Sequence, residues 1–128
     1  MASRAEVADS PLTGDPLIGD LRRAGLLPLL VLHFIAGEPR YGNQLIDRIA
    51  ELTRGALAVN PNTMYPLLRS LEAQGLVAGS WEHPDRRSKR YYEITDKGRA
   101  ERERLAAELR PRLDRIARSI DAIRAEVL

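Results

Sequence analysis

The hydrophobic period of this 128-residue chain changes after Gly75, and that change constrains the fold more than any other feature. Upstream, Met64, Leu67, Leu68 and Leu71 stand at i, i+3, i+4 and i+7, the stripe that a helix buries on one side. Gly75 suits the left-handed residue that closes a helix, with Leu76 as the apolar contact after it. Downstream, "LVAGSWE" (76–82) and "RYYEIT" (90–95) are rich in β-formers and flank the polar segment "HPDRRSK" (83–89), which predicts a β-hairpin with a seven-residue loop. Thr95 can cap a last helix that runs from about residue 96 to the end of the chain.

Two more helices precede the stripe. Residues 17–35 are apolar nearly all round, through Leu21, Leu26, Leu29, Leu30, Leu32 and Phe34, so a helix here is buried on several sides. Pro28 predicts a kink or an irregular first half. "AGEPRYG" (36–42) reads as a turn. Residues 41–53 form the next helix, with Leu45, Ile46, Ile49 and Leu52 inward, Gln44, Asp47, Arg48 and Glu51 in water, and Gly55 as its stop. The third helix carries Pro66. If Asn60 capped it and Pro61 came first, Pro66 would delete an internal hydrogen bond and crowd the carbonyl of Asn62. With Thr63 as cap, the missing donor falls harmlessly in the first turn. A late start, or a short 3₁₀ turn ahead of it, is therefore expected.

Hydrophobic residues make up 44% of the chain but aromatic ones only 5%, so a single-domain core is built from Leu, Ile, Val and Ala. There is no Cys, which excludes a disulfide framework, a thiolate metal site and a cysteine nucleophile, and fits a cytoplasmic protein. Residues 1–16 are polar and contain two prolines; they read as a flexible tail, and their lack of a long apolar run argues against a signal peptide. The longest apolar run, residues 24–37, is too short to span a bilayer. The expected organisation is a tail over 1–16, a domain of helices and a hairpin over 17–95 and a last helix over 96–128.

In that last helix Leu105, Leu109, Leu113, Ile116, Ile120, Ile123 and Val127 are spaced 4, 4, 3, 4, 3 and 4 residues apart. The mean lies near the 3.5 of a coiled coil, so the stripe needs a facing helix, and a second copy of the chain supplies one. Pro111 lies inside the pattern and predicts a kink or break near 108–110.

Three helices followed by a hairpin with a charged loop is the order of a winged helix-turn-helix, a mainly α fold with a small β-hairpin. In that arrangement the third helix enters the major groove and the hairpin loop follows the backbone. Net charge is only +2, but Arg86, Arg87, Lys89 and Arg90 stand against Asp85 alone in "HPDRRSKR" (83–90), the clustering that phosphate neutralisation needs. Opposite its apolar stripe the third helix offers Asn62, Thr63, Tyr65, Pro66, Arg69 and Ser70. Asn and Arg pair with base edges, Ser and Thr with phosphates or bases, and an apolar ring meets a thymine methyl. Two classes of function fit: a DNA-binding transcriptional regulator, and a winged-helix protein-interaction module without sequence-specific binding. Four bases in five positions favour the first. No nucleophile–base pair or phosphate-cradling glycine loop marks an enzyme, and no metal or cofactor site is expected.

"NTMYPLLRSLEAQGLV" (62–77) and "RRSKRYYEITDKG" (86–98) resemble the PadR-like transcriptional regulators, through the Tyr65-Pro66-Leu67-Leu68 block, the Leu71-Glu72-x-x-Gly75-Leu76 turn and the Tyr91-Tyr92-x-x-Thr95-x-x-Gly98 close. "LLVLHFIAGEPRYGNQLIDRI" (29–49) resembles the family's first helices, so the likeness covers about residues 20–100. Asn62 stands where the family usually has Gly, and Asn43 where it often has Tyr. The resemblance implies a dimeric repressor of the short form, with one C-terminal helix that pairs with its copy, and a small-molecule effector. A two-fold dimer sets the third helices roughly 34 Å apart, so the operator should be an inverted repeat. Candidates for the effector site are His33, Phe34 and the start of the last helix. Trp81 and His83 read as hairpin packing and as a residue at the base of the wing.

Overall fold

The computed structural model describes residues 16–85 and 88–128. The tail, apart from Pro16, and Arg86 and Arg87 of the loop lie outside the described residues. The elements in chain order are α1 (Pro16–Arg23), α2 (Leu26–Gly37), β1 (Arg40–Tyr41), α3 (Gly42–Leu52), α4 (Pro61–Ala73), β2 (Val77–Trp81), β3 (Arg90–Ile94) and α5 (Asp96–Val127).

The apolar N-terminal segment is two helices, and the break lies at Gly25 rather than at Pro28. Gly25 takes φ 105°, a left-handed angle that costs glycine little. Pro28 is the third residue of α2, where its missing N–H removes no helical bond. α2 is the centre of the molecule and packs against α1, α3, β3 and α5. Its Val31 and Leu32 are fully buried, as are Leu45 and Ile49 of α3 and Met64 and Leu68 of α4. Burying each such side chain contributes about 1.5–3 kcal/mol. Leu52 departs from the expected inner stripe: it ends α3 and is 56% exposed, while Leu57 and Val59 of the following connection are buried instead.

α4 begins at Pro61, ahead of the expected start. Asn60 is its cap, with the side-chain Oδ1 accepting from the Thr63 N–H at 3.1 Å. Thr63 is thus capped rather than capping. An Asn-Pro pair is a strong start signal, and the cost of Pro66 inside the helix is small because Asn62, whose carbonyl loses its partner, is exposed to water. The far end follows the sequence reading. Gly75 has φ 78°, its N–H donates to the Glu72 carbonyl, and the Leu76 N–H to that of Leu71, which closes the helix on Leu76.

The sheet has three antiparallel strands in the order β1-β3-β2. In the hairpin, Val77 faces Ile94 and Trp81 faces Arg90. β1, read from sequence as a turn, pairs Arg40 with Tyr92 and Tyr41 with Tyr91; two residues are too few to show alternation. Thr95 caps α5, its hydroxyl accepting from the Gly98 N–H at 3.0 Å. α5 then runs without interruption through Pro111, and no break falls at 108–110. Ala107, whose carbonyl loses its helical donor at Pro111, is exposed, so water takes the hydrogen bond that the proline forfeits.

Candidate nucleic-acid interface

α4 and the hairpin enclose a cleft of about 550 Å³, and Tyr65, Arg69, Lys89 and Arg90 all line it. Four residues singled out on two separate elements thus come together. Asn62 and Pro66 stand exposed on the first turns of α4, with Thr63 half-buried between them. Ser70 is exposed, and its Oγ accepts from the Gln74 side-chain amide at 3.0 Å. Arg69 is exposed and makes no ion pair among the described residues. Lys89 is also exposed, its Nζ 4.9 Å from the centre of the Tyr41 ring.

Tyr65 and Arg90 have internal partners as well. The Tyr65 hydroxyl donates to Oδ1 of Asn43 at 3.1 Å, so the family-atypical Asn43 ties α3 to α4. The Tyr65 ring covers Gly42 so closely that a Cβ there would lie 2.5 Å from a ring carbon; any side chain at residue 42 would push the two helices apart. The Arg90 guanidinium donates to Oε2 of Glu72 at 2.8 Å, and the Gly79 N–H donates to the same oxygen at 3.3 Å. One carboxylate of α4 therefore holds both strands of the hairpin. The pair is partly shielded, with the Arg90 and Glu72 side chains 29% and 32% exposed. The guanidinium also sits 5.2 Å from the Trp81 ring and 5.9 Å from that of Tyr92, within cation–π range. Trp81 packs on its cross-strand neighbour as expected, yet remains 48% exposed.

A second set of contacts braces the hairpin from β1. The Tyr41 and Tyr91 rings stack with centroids 4.0 Å apart, and the Tyr41 hydroxyl donates to Glu82 at 2.9 Å. The neighbouring Tyr91 hydroxyl, then partial burial and the Glu82 carboxylate, hold the Tyr41 phenol above its usual titration range. Burial likewise raises Tyr92, against the opposing pull of the Arg90 charge. At the base of the loop, Ser88 closes a ring with His83: its Oγ accepts from the His83 N–H at 2.9 Å. Glu72, Tyr41 and Glu82 were not singled out from sequence as site residues, and Asn43 only as a departure from the family pattern. For Glu72 the local signal was its place within the motif that turns into the hairpin.

His33 and Phe34 line a different cleft, between α2 and the start of α5. In the stripe of α5, Leu105 and Leu109 are buried within the chain, Ile116 is half-buried, and Leu113, Ile120, Ile123 and Val127 are exposed. No group of His, Cys, Asp and Glu among the described residues is arranged to hold a metal ion, and no described helix is long and apolar enough to cross a membrane.

Comparison with known proteins adds to this geometry. The model of the transcriptional regulator PadR-like family matches residues 31–104. The transcriptional regulator Rv3488 of Mycobacterium tuberculosis is 36% identical over 92 residues, 72% of this chain and 79% of its own. Among solved structures, a PadR family transcriptional regulator from Eggerthella lenta superposes with a TM-score of 0.67 at 28% identity, covering 94% of this chain and 97% of its own. A transcriptional regulator from Clostridium thermocellum shares the fold at 20% identity, with a TM-score of 0.66 over 77% of this chain and 96% of its own.

Proposed function

The chain belongs to the PadR-like family of transcriptional regulators, and on that premise we propose that it is a cytoplasmic repressor that binds an inverted-repeat operator as a homodimer and is released by a small-molecule effector. The observation that carries this reading is the cleft between α4 and the hairpin, where Arg69 and Lys89 present cations with no ion pair among the described residues, beside the exposed first turns of α4. Asn62, Thr63, Pro66 and Arg69 read base edges, with Tyr65 and Ser70 beside them. Lys89, with Arg86 and Arg87 of the loop, neutralises phosphates. Arg90 contributes by bracing the hairpin, since its charge is already met by Glu72. The exposed second half of the α5 stripe supplies the pairing surface.

Selection of bound sequences from random duplex DNA tests this reading. A palindromic consensus is expected. In binding titrations, Arg69→Ala should weaken the selected site by about 1–3 kcal/mol and random DNA less, whereas Lys89→Ala should weaken both alike and reduce the salt slope by about one. Enrichment of no sequence would favour the protein-interaction alternative.

A further inference from the structure

The end of α2, β1, α3 and the first turns of α5 surround an open cleft of about 580 Å³. Arg40, Arg48, Arg99 and Arg102 line it together with His33, Phe34 and a single carboxylate, Glu103. These arginines are spread along the chain, so only folding makes them a cluster. Three of them are held in position. The Arg48 and Arg40 guanidiniums stand 5.2 and 5.9 Å from the centre of the Phe34 ring. Arg40 Nε donates to the Phe34 carbonyl at 3.0 Å. Arg102 Nη2 lies 3.0 Å from His33 Nδ1; a guanidinium only donates, so that nitrogen accepts.

Little on the protein offsets this charge. Glu38 approaches Arg40 at 3.6 Å, Glu51 approaches Arg48 at 3.8 Å and Glu103 approaches Arg102 at 3.3 Å, but these carboxylate side chains are 66%, 73% and 78% exposed. Pairs so open to water contribute little. Arg99 has no ion pair among the described residues. A ligand with several negative oxygens meets these guanidiniums better than the three scattered carboxylates do, because each planar fork can hold two oxygens at once. The volume is that of a small-molecule site.

We propose that this cleft binds a small molecule carrying two or three negative charges, its carboxylate or phosphate oxygens held by Arg48, Arg99 and Arg102. Such an occupant joins α3, which carries Asn43 beneath Tyr65 of α4, to α5. That it adjusts DNA binding rests on the regulatory reading above; that it binds does not.

The test is isothermal titration calorimetry on the full chain without DNA, at constant ionic strength, with citrate, pyrophosphate and acetate. Citrate, pyrophosphate or both should bind saturably at one per chain, at least tenfold tighter than acetate, and the better of the two tells carboxylate from phosphate. Arg99→Gln with Arg102→Gln should weaken that binding at least tenfold. Arg115→Gln with Arg118→Gln, further along α5, should leave it unchanged. Should the first pair melt early, Arg48→Gln, on another element, must show the same loss. Absence of saturable binding by both citrate and pyrophosphate, or equal affinity in the two double variants, overturns the proposal. Operator binding, measured separately by gel shift, stands or falls independently of this result.

Discussion

In the first half of α5, Leu105 and Leu109 are 6% and 1% exposed; in the second half, Leu113, Ile120, Ile123 and Val127 are 39%, 44%, 60% and 66% exposed. The spacing that joins these residues is continuous, and so is the helix. What differs is the cover. α2 lies against the first half and reaches no further than a groove that Leu29 shares with Leu113, so most of the second half stays exposed. A hydrophobic repeat therefore tells that a face will be buried without telling by what. Four large apolar side chains along one exposed face are more than a monomer usually carries, and a facing helix is the economical solution.

Three variants test whether the halves differ in this way. The largest effect is expected from Ile116→Asp with Ile120→Asp. Two carboxylates buried without partners at a pairing seam cost several kcal/mol, so sedimentation should find monomers with helical circular dichroism retained. A dimer that persists would deny the second half its role. Next comes Leu109→Ala, made in that monomeric background. Truncating a fully buried leucine costs about 2–5 kcal/mol, read as a lower denaturation midpoint in urea, because the first half belongs to the core of each chain. The smallest effect is Ile123→Ala in the otherwise native chain. It should weaken dimerisation by about 1 kcal/mol, the scale of a few partly buried methylenes, and leave the monomer's midpoint unmoved. If it destabilises the monomer as much as Leu109→Ala does, the two halves are not distinct.

The same division between local and distant causes explains what was legible in the sequence. The hairpin, the stop at Gly75 and the cap at Thr95 are written in a few adjacent residues, and each stands where it was read. The start of α4 was misread because Pro66 was given more weight than the cap formed by Asn60 and Pro61, and because water around Asn62 makes the internal proline cheap. β1 exists only through β3, some fifty residues later. Among the candidate residues, the sequence conveyed the sign of Arg90 but not its partner, since Glu72 lies 18 residues away. Of the arginine cleft, the sequence offered His33, Phe34 and the start of the last helix but not the arginines, because these come from three different elements.

The single carboxylate of Glu72, gripping both hairpin strands from α4, has a mechanical consequence. It makes helix and wing the fixed jaws of a caliper. A duplex held by both jaws must present a groove and a flanking backbone at the separation already set. The work of fitting then falls on the DNA, whose bending and twisting energies vary with sequence. Base pairs that no side chain touches would thereby enter the choice of operator, through stiffness alone.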